Sequence, residues 1–126
     1  FTITQGTACS KLYKKSIIQK YEVVFDETIV VSEDLLFNLN YVFYCGSLVF
    51  TKSKLYGYRQ RADSAIHSNT SKNWLSKLKV YNILSKKYVN NSVYPHILYH
   101  YLKNLYEANY LLRKKDIFLE LKEIAG

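Results

Sequence analysis

The sequence predicts a mixed α+β fold dominated by helix, and three observations carry that expectation. Past residue 72, apolar residues recur every three or four positions, with a polar break at Asn90–Asn91–Ser92. One proline (Pro95) and four glycines leave few forced turns in 126 residues, which favours long helices over a turn-rich β sandwich. Two short stretches, Leu48–Thr51 and Leu55–Arg59, are joined by a polar link and predict a small antiparallel strand pair.

The first element expected along the chain is a short helix from about Lys11 to Lys20, capped by Ser10. Leu12, Ile17 and Ile18 would point inward and Lys11, Lys14 and Lys15 toward water. Residues 21–31 look extended or irregular and lead to Ser32, a good N-cap. Glu33 and Asp34 then fall in a first turn, where the helix dipole favours negative charge. Leu35, Leu36, Leu39, Val42 and Phe43 continue at helical spacing, and Gly46 is placed to end the run. Two acids at the start of a helix anchored in apolar packing make a rigid mount for a carboxylate. In the second of the two strands, Tyr56 and Tyr58 share one face, and a polar loop, Gln60 to Ser71, follows. A helix over Lys72–Tyr88 would carry Trp74, Leu75, Leu78, Tyr81 and Leu84 or Ser85 along one stripe. A second runs from Pro95 to about Arg113, and Asp116 begins a short last one.

Composition narrows the function classes. With 48% hydrophobic residues the chain is expected to fold, and the lack of Met, with Phe1 at the start, predicts a segment of something longer. Cys9 and Cys45 suit neither a disulfide framework nor a metal site, and read as reduced cytosolic thiols. The densest apolar stretch, Leu35 to Phe50, is interrupted by Asn38, Asn40, Gly46 and Ser47, so no membrane-spanning run is expected. The net charge of +8 is uneven: residues 35–115 hold thirteen Lys or Arg against Asp63 and Glu107. Such a surface attracts phosphates, nucleic acid or an anionic bilayer, and charge alone does not choose.

Three motifs occur in order: Cys9-Ser-Lys-Leu-Tyr-Lys-Lys-Ser-Ile-Ile18, Ser32-Glu-Asp-Leu-Leu-Phe37 and Leu55-Tyr-Gly-Tyr-Arg-Gln-Arg-Ala-Asp-Ser64. Together they resemble the second half of family 2 glycosyltransferases of bacterial capsule, exopolysaccharide and lipopolysaccharide assembly. That family commonly reads W-x-K-L-Y-[KR], then E-D at a helix start, then L-Y-x-Y-R-x-R with a Ser shortly after. The match spans roughly residues 8–67, and Cys9 stands where the family usually has Trp. The resemblance implies the C-terminal, acceptor-side part of a GT-A-like catalytic domain in residues 1–70, with residues 71–126 as a helical extension. The chain has no Asp-x-Asp motif and no opening βαβ unit. The donor-binding half and most ligands of the divalent cation, Mg or Mn, would therefore lie outside it.

The resemblance further implies a sugar transferred from a nucleotide-diphosphate donor to a surface-polysaccharide or lipid-linked glycan acceptor. It assigns Asp34 as general base and Glu33 as its neighbour on the acceptor side. On composition alone both acids would only complement the helix dipole. Arg59, Arg61, Ser64 and His67 are the candidates for holding the donor diphosphate, since an Arg fork matches phosphate oxygens; the alternative is a solvated basic loop. Lys11 would pair with an acid in the fold or touch ligand. Tyr and Lys in the C-terminal hairpin suit either ordinary helix packing or the headgroup zone of an anionic membrane. The expected location is cytoplasmic, either free or peripheral on the inner face of the membrane, with the isolated segment inactive. The readings from other classes are a non-catalytic basic helical module binding nucleic acid or one docking a protein partner. Nucleic acid is not expected, because the charges are scattered and no recognised motif appears.

Overall fold

Helix α3, Ser71–Lys87, and helix α4, Tyr94–Leu112, form a hairpin whose inner ends, Lys87 and Tyr94, fall within a residue of those predicted. The computed structural model describes residues 8–53, 55–57, 59 and 71–112 of the chain. Two helices precede the hairpin: α1, Lys15–Tyr21, and α2, Glu33–Phe43. The described residues include no helix long and apolar enough to cross a membrane.

The hairpin closes as its sequence requires. The Asn91 side chain accepts the Val93 N–H at 3.1 Å, a local turn bond that competes with helix continuation. Pro95 is the second residue of α4, where a missing N–H leaves no intrahelical bond unmade. On α3, Ser76, Val80 and Leu84 are buried at every fourth residue, and Tyr88, just past its end, continues the series. Val80, Leu84 and Tyr88 join Ile29, Leu36 and Ile97 in one apolar cluster, so the main core draws on residues from both sides of position 70. Leu78 is also fully buried.

Helix α2 faces two ways. Leu36 packs into the hairpin cluster, while Phe37 and Tyr41 form a second cluster with Val23, bordered by Tyr13, Ile17 and Ile18. Phe25 stacks on Phe37 at 4.2 Å, and Tyr13 meets Phe37 and Tyr41 edge to face at 5.2 and 4.9 Å. A single inward stripe was expected; packing on both sides instead buries Phe37, Asn38 and Tyr41 and leaves Phe43 exposed.

The expected strand pair is absent, and among the described residues the fold is all helical, not α+β. Residues 48–53, 55–57 and 59 take no regular structure. Val49 is 95% exposed and Leu55 80%, so neither stretch has a face to bury. An isolated two-stranded hairpin is marginal in water, and β-branched or aromatic content describes fit to a pleated surface that other elements must supply. The helix start signals also need correction. Ser10 (φ 66°) and Ser32 (φ 71°) adopt the left-handed region: Ser32 is the N-cap residue of α2 but its hydroxyl makes no cap bond, while α1 starts at Lys15 with Lys14, not Ser10, before it, and Leu12 lies fully exposed. Gly46 has no positive φ, and α2 ends on Tyr44 instead. The short last helix expected from Asp116 lies outside the described residues.

Candidate functional site

The entry to α2 is fixed from a distance. Ser76 Oγ on α3 accepts the N–H groups of Val30 and Val31 at 3.0 Å each and donates to the Val31 carbonyl at 3.1 Å. One hydroxyl thereby uses its donor and both acceptor sites on two consecutive residues. Ile29 beside them is buried in the hairpin cluster. Just upstream, Asp26 accepts from the Thr28 N–H and hydroxyl at 2.9 and 2.6 Å, which holds its carboxyl below the usual range. Lys79 of α3 donates to Thr28 Oγ1 at 3.0 Å. The chain passes from this pinned stretch into α2 through the left-handed Ser32, a conformation that costs a non-glycine residue about 1–2 kcal/mol.

Glu33 and Asp34 occupy the first turn of α2, and both are half-buried. Asp34 Oδ1 accepts the Leu35 N–H at 2.8 Å. The carboxylate thus satisfies one of the helix's orphan donors, the task Ser32 was expected to perform, and is held in orientation by it. Asn38 follows one turn later on the same face and is 1% exposed. Tyr13 donates its hydroxyl to Asn38 Oδ1 at 2.5 Å, with the Ala8 carbonyl 3.3 Å away, and the Lys14 N–H donates to Tyr41 Oη at 2.7 Å. Burial first, and the negative charge of Asp34 second, push the Tyr13 phenol from 10.0 up to about 12. Burial also raises Tyr41.

The structure therefore brings two of the three motifs together. The tyrosine of Lys11-Leu-Tyr13 sits against the helix that begins Glu33-Asp34, close enough to feel the Asp34 charge. It does not bring Arg59 into regular structure: Arg59 is exposed in an irregular stretch. Arg61, Ser64 and His67 lie outside the described residues. Lys11 is half-buried. The described residues contain no group of three or more His, Cys, Asp or Glu able to hold a metal ion.

Tyr13, Asn38 and Ser76 were missed as parts of this arrangement. Asn38 carried a signal, a polar residue four positions after Asp34 inside an apolar run. Tyr13 was visible only as a letter of a motif. Ser76 gave none, since serine on a helix is normally a solvent-facing residue.

No protein-family model, curated protein or solved structure matches the chain.

Proposed function

We propose that these residues are the acceptor-side part of a glycosyltransferase that moves a sugar from a nucleotide-diphosphate donor to a surface-polysaccharide or lipid-linked glycan. Asp34 is its general base. The observation that carries this reading is the setting of Asp34. Its carboxylate stands half-buried in the first turn of a helix packed on two sides, oriented by the Leu35 N–H, with Tyr13 of the neighbouring motif beside it. The order of the three motifs adds to it.

Inversion at an anomeric carbon needs a base on the acceptor hydroxyl, opposite the departing diphosphate. As the acceptor oxygen forms its bond to that carbon, its proton passes to the Asp34 carboxylate and the bond to the diphosphate oxygen breaks. Glu33, one residue earlier, borders the acceptor. Arg61, with Ser64 and His67, offsets the charge of the leaving group. The divalent cation and most of its ligands belong to the donor-binding part.

The test separates chemistry from the helix-dipole role. In the full-length transferase, Asp34→Asn keeps a side-chain oxygen that can accept from the Leu35 N–H but cannot take a proton. Turnover from a nucleotide-sugar donor is expected to fall about a hundred- to ten-thousandfold, while stability falls by no more than about 1 kcal/mol. Near-normal turnover with a matching loss of stability would leave Asp34 as a helix-terminal charge only. The 126-residue chain alone is expected to show no transfer and at best weak heat of binding on titration with a nucleotide sugar.

A further inference from the structure

Among the described residues between α2 and α3, the most exposed apolar side chains are aliphatic, and they lie among cations. Val49 is 95% exposed and Leu55 80%, with Phe50 and Tyr56 at least half exposed beside them. Lys52 and Arg59 are exposed in the same irregular stretch. Between Asp34 and Asp63 the sequence has no acid at all. Water disfavours such a surface by its apolar area, and the local charge specifies an anionic partner.

We infer that this protein docks on an anionic lipid surface through Val49, Phe50 and Leu55, which enter the acyl boundary, and Lys52 and Arg59, which meet the headgroups. Valine, leucine and phenylalanine gain by leaving water for hydrocarbon, and adjacent cations add electrostatic attraction to acidic lipids. A nucleic acid would use the cations and the two rings but leave the two most exposed residues, both aliphatic, in water. The hairpin's outer face is a weaker anchor, because Tyr99, Tyr106 and Tyr110 present hydroxyls and Lys103 lies 3.9 Å from Glu107, which offsets its charge. This docking does not depend on the assignment of Asp34.

Co-sedimentation of the 126-residue chain with phosphatidylcholine vesicles, with and without about 30% phosphatidylglycerol, tests it. Binding is expected only to the acidic vesicles and is expected to weaken with salt. Val49→Asp with Leu55→Asp should reduce partitioning at least about tenfold, and Lys52→Glu or Arg59→Glu about fivefold or more each. Circular dichroism should be unchanged, because all four side chains are exposed. Tyr106→Asp on the hairpin should leave partitioning as it was. Equal binding to both vesicle types, no binding, or binding that survives the double aspartate variant would overturn the inference. So would a wild-type dimer, in the absence of lipid, that the double variant dissociates, or generic RNA that displaces the protein from vesicles at physiological salt.

Discussion

The hairpin and the stretch from residue 48 to 59 are both rich in apolar side chains, yet one buries them and the other presents them to solvent. In α3, Leu78, Val80 and Leu84 are wholly inaccessible, whereas Val49 and Leu55 are nearly bare. The difference lies in period and partner. Side chains spaced by a helical turn form a stripe, and α4 and α2 lie against that stripe. Residues 48–59 carry short apolar runs of strand-like composition, but no second surface reaches them among the described residues. Hydrophobicity sets what a segment could gain by burial; geometry decides whether it does.

Truncations sharpen that contrast, and the largest effect is expected inside the hairpin. Leu84→Ala opens a cavity at a junction with Ile29, Leu36 and Ile97 and should cost about 2–5 kcal/mol in urea unfolding. Ser76→Ala ranks next. It removes the acceptor for two backbone N–H groups and should cost about 1–3 kcal/mol while α3 itself remains helical. A helix content that collapses with that change would show Ser76 supporting α3, not the loop. Tyr13→Phe takes the donor from buried Asn38 and should cost about 1–2 kcal/mol at neutral pH. Leu55→Ala should move stability by less than about 0.5 kcal/mol, and a loss comparable to that of Leu84→Ala would erase the distinction between the two regions.

Tyr13 also predicts a pH dependence. Its folded phenol is raised from 10.0 to about 12, so the fold retains a proton that the unfolded chain releases first. The corresponding stability is complete below about pH 10 and is lost as pH rises toward 12. Tyr88, also raised to about 12 by burial, contributes in the same direction. Unfolding of Tyr13→Phe, followed from pH 9 upward, should show a shallower decline than the parent, and parallel curves would refute the assignment.

The contrast also explains what the sequence made legible. The α3 and α4 bounds could be read because a repeated period and the Asn91–Pro95 punctuation act locally. The Glu33-Asp34 mount was legible for the same reason, as a first turn ahead of an apolar run. Val80 escaped the predicted stripe because its burial depends on Ile29 and Leu36, more than forty residues away. Ser32 does hold the N-cap position, but a side-chain cap bond needs an extended backbone, and Ser32, like Ser10, adopts a left-handed one. At Ser32 the preceding residues are already held by Ser76, a restraint that local propensity does not encode. The strand pair failed because strand propensity is conditional on a neighbour.

The Ser76 hydroxyl has a mechanical consequence. It ties residues 45 and 46 positions apart, and one of its bonded residues is only three short of Asp34. A sideways slip of α3, from a repacked hairpin or a weight resting on α4, drags the approach to α2 along with it. The long C-terminal helices thus serve as a tiller for the small acidic turn, and surgery on the hairpin far from that turn would still steer it.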